Sequence, residues 1–194
     1  MIPLLIALMT LADPASAQAS VSPGAVAVTD GRWSGVGLVW DAPARRVLTP
    51  LHVVEEMAAE SISVVVPGRG SMPGRIVDRE PALDLAILEV AGELPASAPL
   101  RTARAVGAGD PVWLPGCGGP ARPADGGRVL APLRTFAGSS YVSVRTAVAP
   151  GWSGRPILDR DGALVGIIDL ALLREPGTAL AIPAERAAAR FPRG

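Results

Sequence analysis

A serine hydroxyl becomes an effective nucleophile only when a base takes its proton and a third group holds that base in place. In this 194-residue chain the search for such a base is short, because His52 is the single histidine. Ser153 sits between glycines in "GWSGRP", and Asp84 opens the apolar run of "PALDLAILEV". The order is His52, Asp84, Ser153, with separations of 32 and 69 residues. Those three types together could form an acyl-enzyme: Ser153 as nucleophile, His52 as base, Asp84 as the acid that orients it.

Each residue also has a plainer use. A lone histidine ordinarily packs or caps, and by itself Asp84 reads equally well as a turn cap beside the polar "DRE". A carboxylate at the lip of a buried strand needs a partner, since an unpaired buried charge is costly. Asp78 is the competing acid, but it lies in the more polar "RIVDRE" and reads as solvated. Other nucleophile motifs fail. The residue two past the serine is Arg155, which excludes the G-x-S-x-G elbow, and a chain without lysine cannot hold S-x-x-K. One histidine and one cysteine, Cys117, supply no zinc constellation, so no metal and no cofactor is expected. Cys117 reads as a buried structural thiol.

Those residues need a scaffold, and composition favours an all-β one. Hydrophobic residues make up 49 %, yet 22 glycines and 20 prolines break them into short runs. All 18 basic residues are arginines, interspersed with 18 acids, so the stripe of positive charge that marks a nucleic-acid surface is absent and no nucleic-acid partner is expected. At the start, an apolar run from Ile2 to Ala12 leads through Asp13 and Pro14 to Ala15-Ser16-Ala17. That is the layout of a secretory signal peptide over residues 1–17, with export to the periplasm or beyond and a mature chain from Gln18. The run is too short for a membrane span, so none is expected after cleavage.

Beyond the signal, six short β-type runs follow: "GAVAVTD", "RWSGVGLVW", "RRVLTP", "SISVVVPG", "GRIVDRE" and "LDLAILEV". Residues 91–110, rich in proline and alanine, read as a linker. Six more runs come after it, closing with "PAERAAARFPRG", where Pro183 opens a short alanine-rich helix. Residues 51–60 are the other helical candidate. The expected architecture is a pair of small barrels or sandwiches, the first over 18–100 with His52 and Asp84, the second over 101–194 with Ser153.

Four motifs in order, "GVGLVW" before "VLTPLHVVE", then "VDREPALDLAILEV", "PGWSGRPILDRDGALVGI" and "ALAIP", cover residues 30–185 or so. On them the chain resembles the chymotrypsin-like (trypsin-like) serine proteases, most closely their bacterial HtrA/Deg branch. The resemblance implies two six-stranded antiparallel barrels with a His52–Asp84–Ser153 triad between them, endopeptidase action on polypeptides, and an oxyanion hole from the backbone N–H groups of Gly151 and Ser153. It also implies a primary pocket around Ala147, Val148 and the segment Ile168, Asp169, Leu170, suited to small or medium apolar side chains. Basic side chains would be preferred instead if Asp169 points into that pocket. HtrA proteases carry a PDZ module after the protease domain, and none is expected before Gly194. No oligomeric state follows from the sequence.

Three residues depart from the pattern. Trp152 stands where trypsin-type zymogens carry an aspartate, so activation by an ion pair to a new N-terminus is not expected, and packing of the loop is its expected use. Arg155 replaces a second glycine; Pro156 biases it toward extended angles, and a requirement for positive φ there would distort the nucleophile loop. Asp169 falls beside the catalytic acid, where Ser, Thr or Asn is usual, unless a one-residue shift of register turns it away. The last two keep open an alternative reading of the chain as a pseudoprotease that binds polypeptides without cutting them.

Overall fold

A computed structural model describes residues 24–117, 125–170 and 175–194. The segment expected to be a signal peptide, residues 1–17, lies outside the described residues. Six strands, β1 (Ala25–Thr29), β2 (Ser34–Asp41), β3 (Arg46–Pro50), β4 (Ser63–Val66), β5 (Gly70–Glu80) and β6 (Leu85–Val90), close into an antiparallel barrel in the order β1-β2-β3-β6-β5-β4. A second six, β7 (Pro111–Leu114), β8 (Asp125–Phe136), β9 (Ser139–Arg145), β10 (Pro156–Leu158), β11 (Leu164–Ile168) and β12 (Thr178–Pro183), close with the same cyclic connectivity, Leu158 of β10 pairing with Trp113 of β7. Register shifts in β2/β3, β5/β6, β8/β9 and β10/β11 supply the bends that closure requires. The expected all-β, two-barrel architecture with a short C-terminal helix is therefore found.

Alternation with period two sends each strand's side chains to two different cores. In β6, Ala86, Leu88 and Val90 fill the first barrel with Val26, Val39 and Val47, while Leu85 and Ile87 face the other way. Those outward residues, with Leu38, Trp40 and Leu48, meet Leu158, Leu164, Ile167 and Ile182 of the second barrel in a shared core. A separate cluster including Val129, Val144, Val165 and Ala179 fills the second barrel. Trp40 is fully buried at the junction and donates its indole N–H to the carbonyl of Phe191 at 2.8 Å, so its one polar atom is satisfied.

Two short helices join this frame. Helix α1 (Leu51–Val54) follows β3 directly and ends at Val54, well short of the 51–60 span expected, because residues 55–61 turn back through a bond from the Met57 N–H to the Val54 carbonyl. Helix α2 (Ala184–Arg190) follows Pro183 as expected and packs Ala184 and Ala187 into the shared core. From its end Arg190 donates to Asp78 at 2.7 and 2.9 Å and to Glu80 at 2.9 Å, tying the C-terminal helix to β5. Asp78 is exposed, as the sequence suggested, and is also an ion-pair partner. The 91–110 connection has only a 3-10 turn, Ala103–Ala105, but it is packed, with Leu94, Ala98, Ala103 and Val106 buried. Cys117 is half-buried, less enclosed than expected, since it falls in the loop after β7.

Candidate active site

Sheet register is what brings residues 32 apart in sequence together. Pro50 at the end of β3 pairs with Leu85 at the start of β6, so the residues just beyond each, His52 and Asp84, become neighbours. Pro50 is extended (φ −60°, ψ 141°) and turns the chain into α1. The Leu51 N–H then donates to the Asp84 carbonyl and the His52 N–H to Asp84 Oδ1, both at 2.9 Å. The ring Nδ1 of His52 bonds Asp84 Oδ2.

Asp84 closes the 3-10 turn Pro81–Leu83 in the left-handed region (φ 52°, ψ 45°). Aspartate is one of the few side-chain-bearing residues that visit this region readily. Glu80 caps the same turn by accepting the Ala82 N–H at 3.2 Å, and Glu80 is itself held by Arg190.

Ser153 lies in the loop between β9 and β10, 7 % exposed, with its Oγ 3.1 Å from His52 Nε2. The loop is pinned from both barrels: the Val36 N–H donates to the Ser153 carbonyl at 2.9 Å, and the Gly154 N–H donates to the Ile168 carbonyl at 2.8 Å. Gly154 permits that approach. It has φ +90°, and a Cβ there would sit 1.7 Å from the Val36 carbonyl oxygen. Sequence reasoning gave Gly154 no role, although its place directly after the serine was the available signal.

Gly151 has φ +83° at the third position of a turn in which the Trp152 N–H donates to the Ala149 carbonyl at 3.2 Å. Proline then glycine at the two central positions with positive φ at the second is a type II turn. The sign of that φ distinguishes the two orientations of the Pro150–Gly151 peptide, and therefore the direction of the Gly151 N–H.

Arg155 has a negative φ, so the distortion feared for this position is absent. Its side chain runs inward, 4 % exposed, where Nη1 donates to the Leu114 carbonyl at 3.2 Å and the guanidinium stacks 3.7 Å above the Trp152 ring. Trp152 packs partly buried against the second barrel's core, the use expected for it.

Asp169 follows β11, 4 % exposed. His52, Asp84 and Asp169 each offer a ligand atom, all within 4.8 Å of one another, so the register does not turn Asp169 away from the pair. That spacing could hold a divalent cation, a grouping passed over by counting only His and Cys. A cation bound through Nδ1 would have to displace its bond to Asp84. The imidazole's pKa is raised above its ordinary 6.5, first by the hydrogen bond to Asp84 and then by the charges of Asp84, Asp169 and Glu55, against the opposing effect of burial.

The residues expected to line the primary pocket differ in exposure. Ala147 is exposed, Val148 and Leu170 pack partly buried on the second barrel's core, and Ile168 is wholly inside that core, leaving only its backbone to the site. None of them lines the cleft of about 490 Å³ that opens beside His52, Gly151 and Ser153. Among the described residues no helix is long and apolar enough to cross a membrane.

Comparison with known proteins bears on the fold and the family. The chain is 31 % identical over 137 residues to a protein described as a probable periplasmic serine endoprotease DegP-like from Pseudomonas putida (strain W619), a match covering 68 % of this chain and 28 % of that one. The chain thus spans little more than a quarter of that relative's length. Two structures of Rv3671c from M. tuberculosis H37Rv, both inactive forms and one of them a serine-to-alanine mutant, share the fold. The mutant matches with a TM-score of 0.72 at 22 % identity over 92 % of this chain and 88 % of the other. The second matches with a TM-score of 0.70 at 23 % identity over 92 % and 90 %. Residues 34–167, more than half of the sequence, match the trypsin-like peptidase domain, and the chain belongs to that family.

Proposed function

We propose that this chain is an exported serine endopeptidase that hydrolyses peptide bonds in polypeptides through an acyl-enzyme on Ser153. The observation that carries the reading is the unbroken line of contacts from Ser153 Oγ to His52 Nε2 at 3.1 Å and from His52 Nδ1 to Asp84 Oδ2. Ser153 passes its proton to Nε2 and attacks the scissile carbonyl carbon. The oxyanion that forms is met by the backbone N–H groups of Gly151 and Ser153, the type II turn at Pro150–Gly151 supporting the first of these donors. As the intermediate collapses, the C–N bond breaks and the imidazolium returns the proton to the leaving amine. A water molecule then gives a proton to His52 and attacks the ester carbon, and the ester C–O bond breaks as His52 returns that proton to the Ser153 oxygen. Asp84 keeps Nδ1 as the protonated nitrogen and stabilises the imidazolium, and no metal or cofactor enters any step. Export rests on the apolar run Ile2–Ala12 with its Ala-Ser-Ala site and on the periplasmic description of the Pseudomonas relative.

The test is covalent labelling of the purified chain by a fluorophosphonate, beside Ser153→Ala. Labelling of the unaltered protein alone, with cleavage of quenched peptides, is the expected result. A folded chain that neither labels nor cleaves would leave polypeptide binding as its activity.

A further inference from the structure

We propose that the cleft beside Ser153 is a binding site for an arginine or lysine side chain carried by the leaving segment of the substrate, within two residues after the scissile bond. The proposal rests on the endopeptidase reading above and adds a substrate class to it.

Its position sets which part of the substrate it meets. The near end of the cleft is formed by His52, Gly151 and Ser153, and it extends past Ser34 to Trp33, Val53, Glu56 and Met57. The leaving amine takes its proton from His52, so the chain beyond the cut starts at this ring. The residues assigned to the acyl side, Ala147, Val148 and the 168–170 segment, contribute nothing to the cleft.

The lining has the chemistry of a long apolar stem with a cationic head. Val53 and Met57, half-buried and 7 % exposed, make an apolar wall that suits methylenes. Trp33 is 66 % exposed and offers an aromatic face, the preferred surface for a guanidinium or ammonium. Glu56, exposed, is the one carboxylate of the lining, and no arginine lines it among the described residues. A volume of about 490 Å³ lies within the range of about 300–1,000 Å³ usual for ligand sites.

The backbone that carries the aromatic wall is held in place before any substrate arrives. Asp30 Oδ1 accepts the N–H groups of Arg32 and Trp33, each at 2.8 Å, and Thr29 Oγ1 donates to the Trp33 carbonyl at 2.6 Å. Trp33 is thus fixed through its backbone while its side chain stays largely exposed. The charge around the near end points the same way, since the acids acting on His52 are Asp84, Asp169 and Glu55, all of which favour a cation and repel an anion. Arg32, on the same turn, is exposed and does not line the cleft.

The measurement is kcat/KM on quenched peptides identical except for Arg, Leu or Glu at the first or second residue after the cut, with fluorophosphonate labelling run in parallel. The expected preference for Arg over Glu at one of those positions is about tenfold, the size of one exposed ion pair plus one cation–π contact. Glu56→Gln and Trp33→Leu should each shrink that ratio to about threefold or less, whatever they do to the absolute rate. A labelled, cleaving enzyme with equal rates for Arg and Glu, or an undiminished ratio in Glu56→Gln, overturns the proposal. If the chain neither labels nor cleaves, the endopeptidase reading fails separately. Fluorescence anisotropy of the same peptides on the folded chain then decides: tighter binding of the Arg peptide that Glu56→Gln abolishes supports the site, and equal binding removes it.

Discussion

Asp84 grips His52 at two points, accepting its backbone N–H through Oδ1 at 2.9 Å and its ring Nδ1 through Oδ2. One carboxylate thus fixes both where the residue sits and which way its ring faces. Asp84→Asn keeps the shape but offers an N–H where an acceptor is needed, which favours the wrong imidazole tautomer. The expected loss is about 10⁴-fold in kcat with an unchanged far-UV spectrum. A loss of tenfold or less would show that His52 does not depend on Asp84 for its orientation.

The acids around His52 predict the pH dependence. His52 must be neutral to accept the serine proton, and its pKa is raised above 6.5, with Asp84 the largest cause and the charge of Asp169 a smaller one. Activity should therefore rise with pH through a midpoint above 6.5. Removing the Asp169 charge removes one contribution that raises the pKa, so the Asp169→Asn profile should shift toward acid. The kcat/KM profiles of the two proteins check this, and an unmoved midpoint would refute a contribution of Asp169 to the His52 titration.

Two glycines of the nucleophile loop should respond differently to alanine. At Gly154 the added Cβ would fall 1.7 Å from the Val36 oxygen in a backbone with φ +90°, so the strand and loop must separate. Gly154→Ala should cost about 3 kcal/mol or more and abolish activity. At Gly151 the nearest atom to an added Cβ is the Ser34 oxygen at 4.0 Å, leaving mainly the strain of φ +83°. Gly151→Ala should cost about 1–2 kcal/mol, with its kcat reduced more than its stability suggests if the turn flips to relieve that strain. Thermal melts beside turnover numbers separate the two.

The N-terminal segment gives a prediction that needs no enzymology. If Ala15-Ser16-Ala17 is a cleavage site, protein recovered from an exporting host should begin at Gln18. N-terminal sequencing of that material decides it, and an intact Met1 would refute removal of the segment.

Much of this protein was legible in the sequence because short-range rules carry it. Alternating apolar runs ended by glycine and proline gave twelve strands, since period two and turn chemistry are local properties. The identities of His52, Asp84 and Ser153 stood out because few residue types can form such a relay and the chain has one histidine. What no local rule could supply was how the strands register against one another. The pairing of Pro50 with Leu85 brings His52 to Asp84, and the bond between Val36 and Ser153 seats the serine beneath them. The same limit hid two details: Asp78, exposed as its polar setting suggested, also pairs with Arg190, and Arg155, which looked like a threat to the loop, folds inward to the Leu114 carbonyl. In each case the sequence determined what the side chain could do, and the packing of two closed barrels, which depends on contacts a hundred residues apart, decided where it does it.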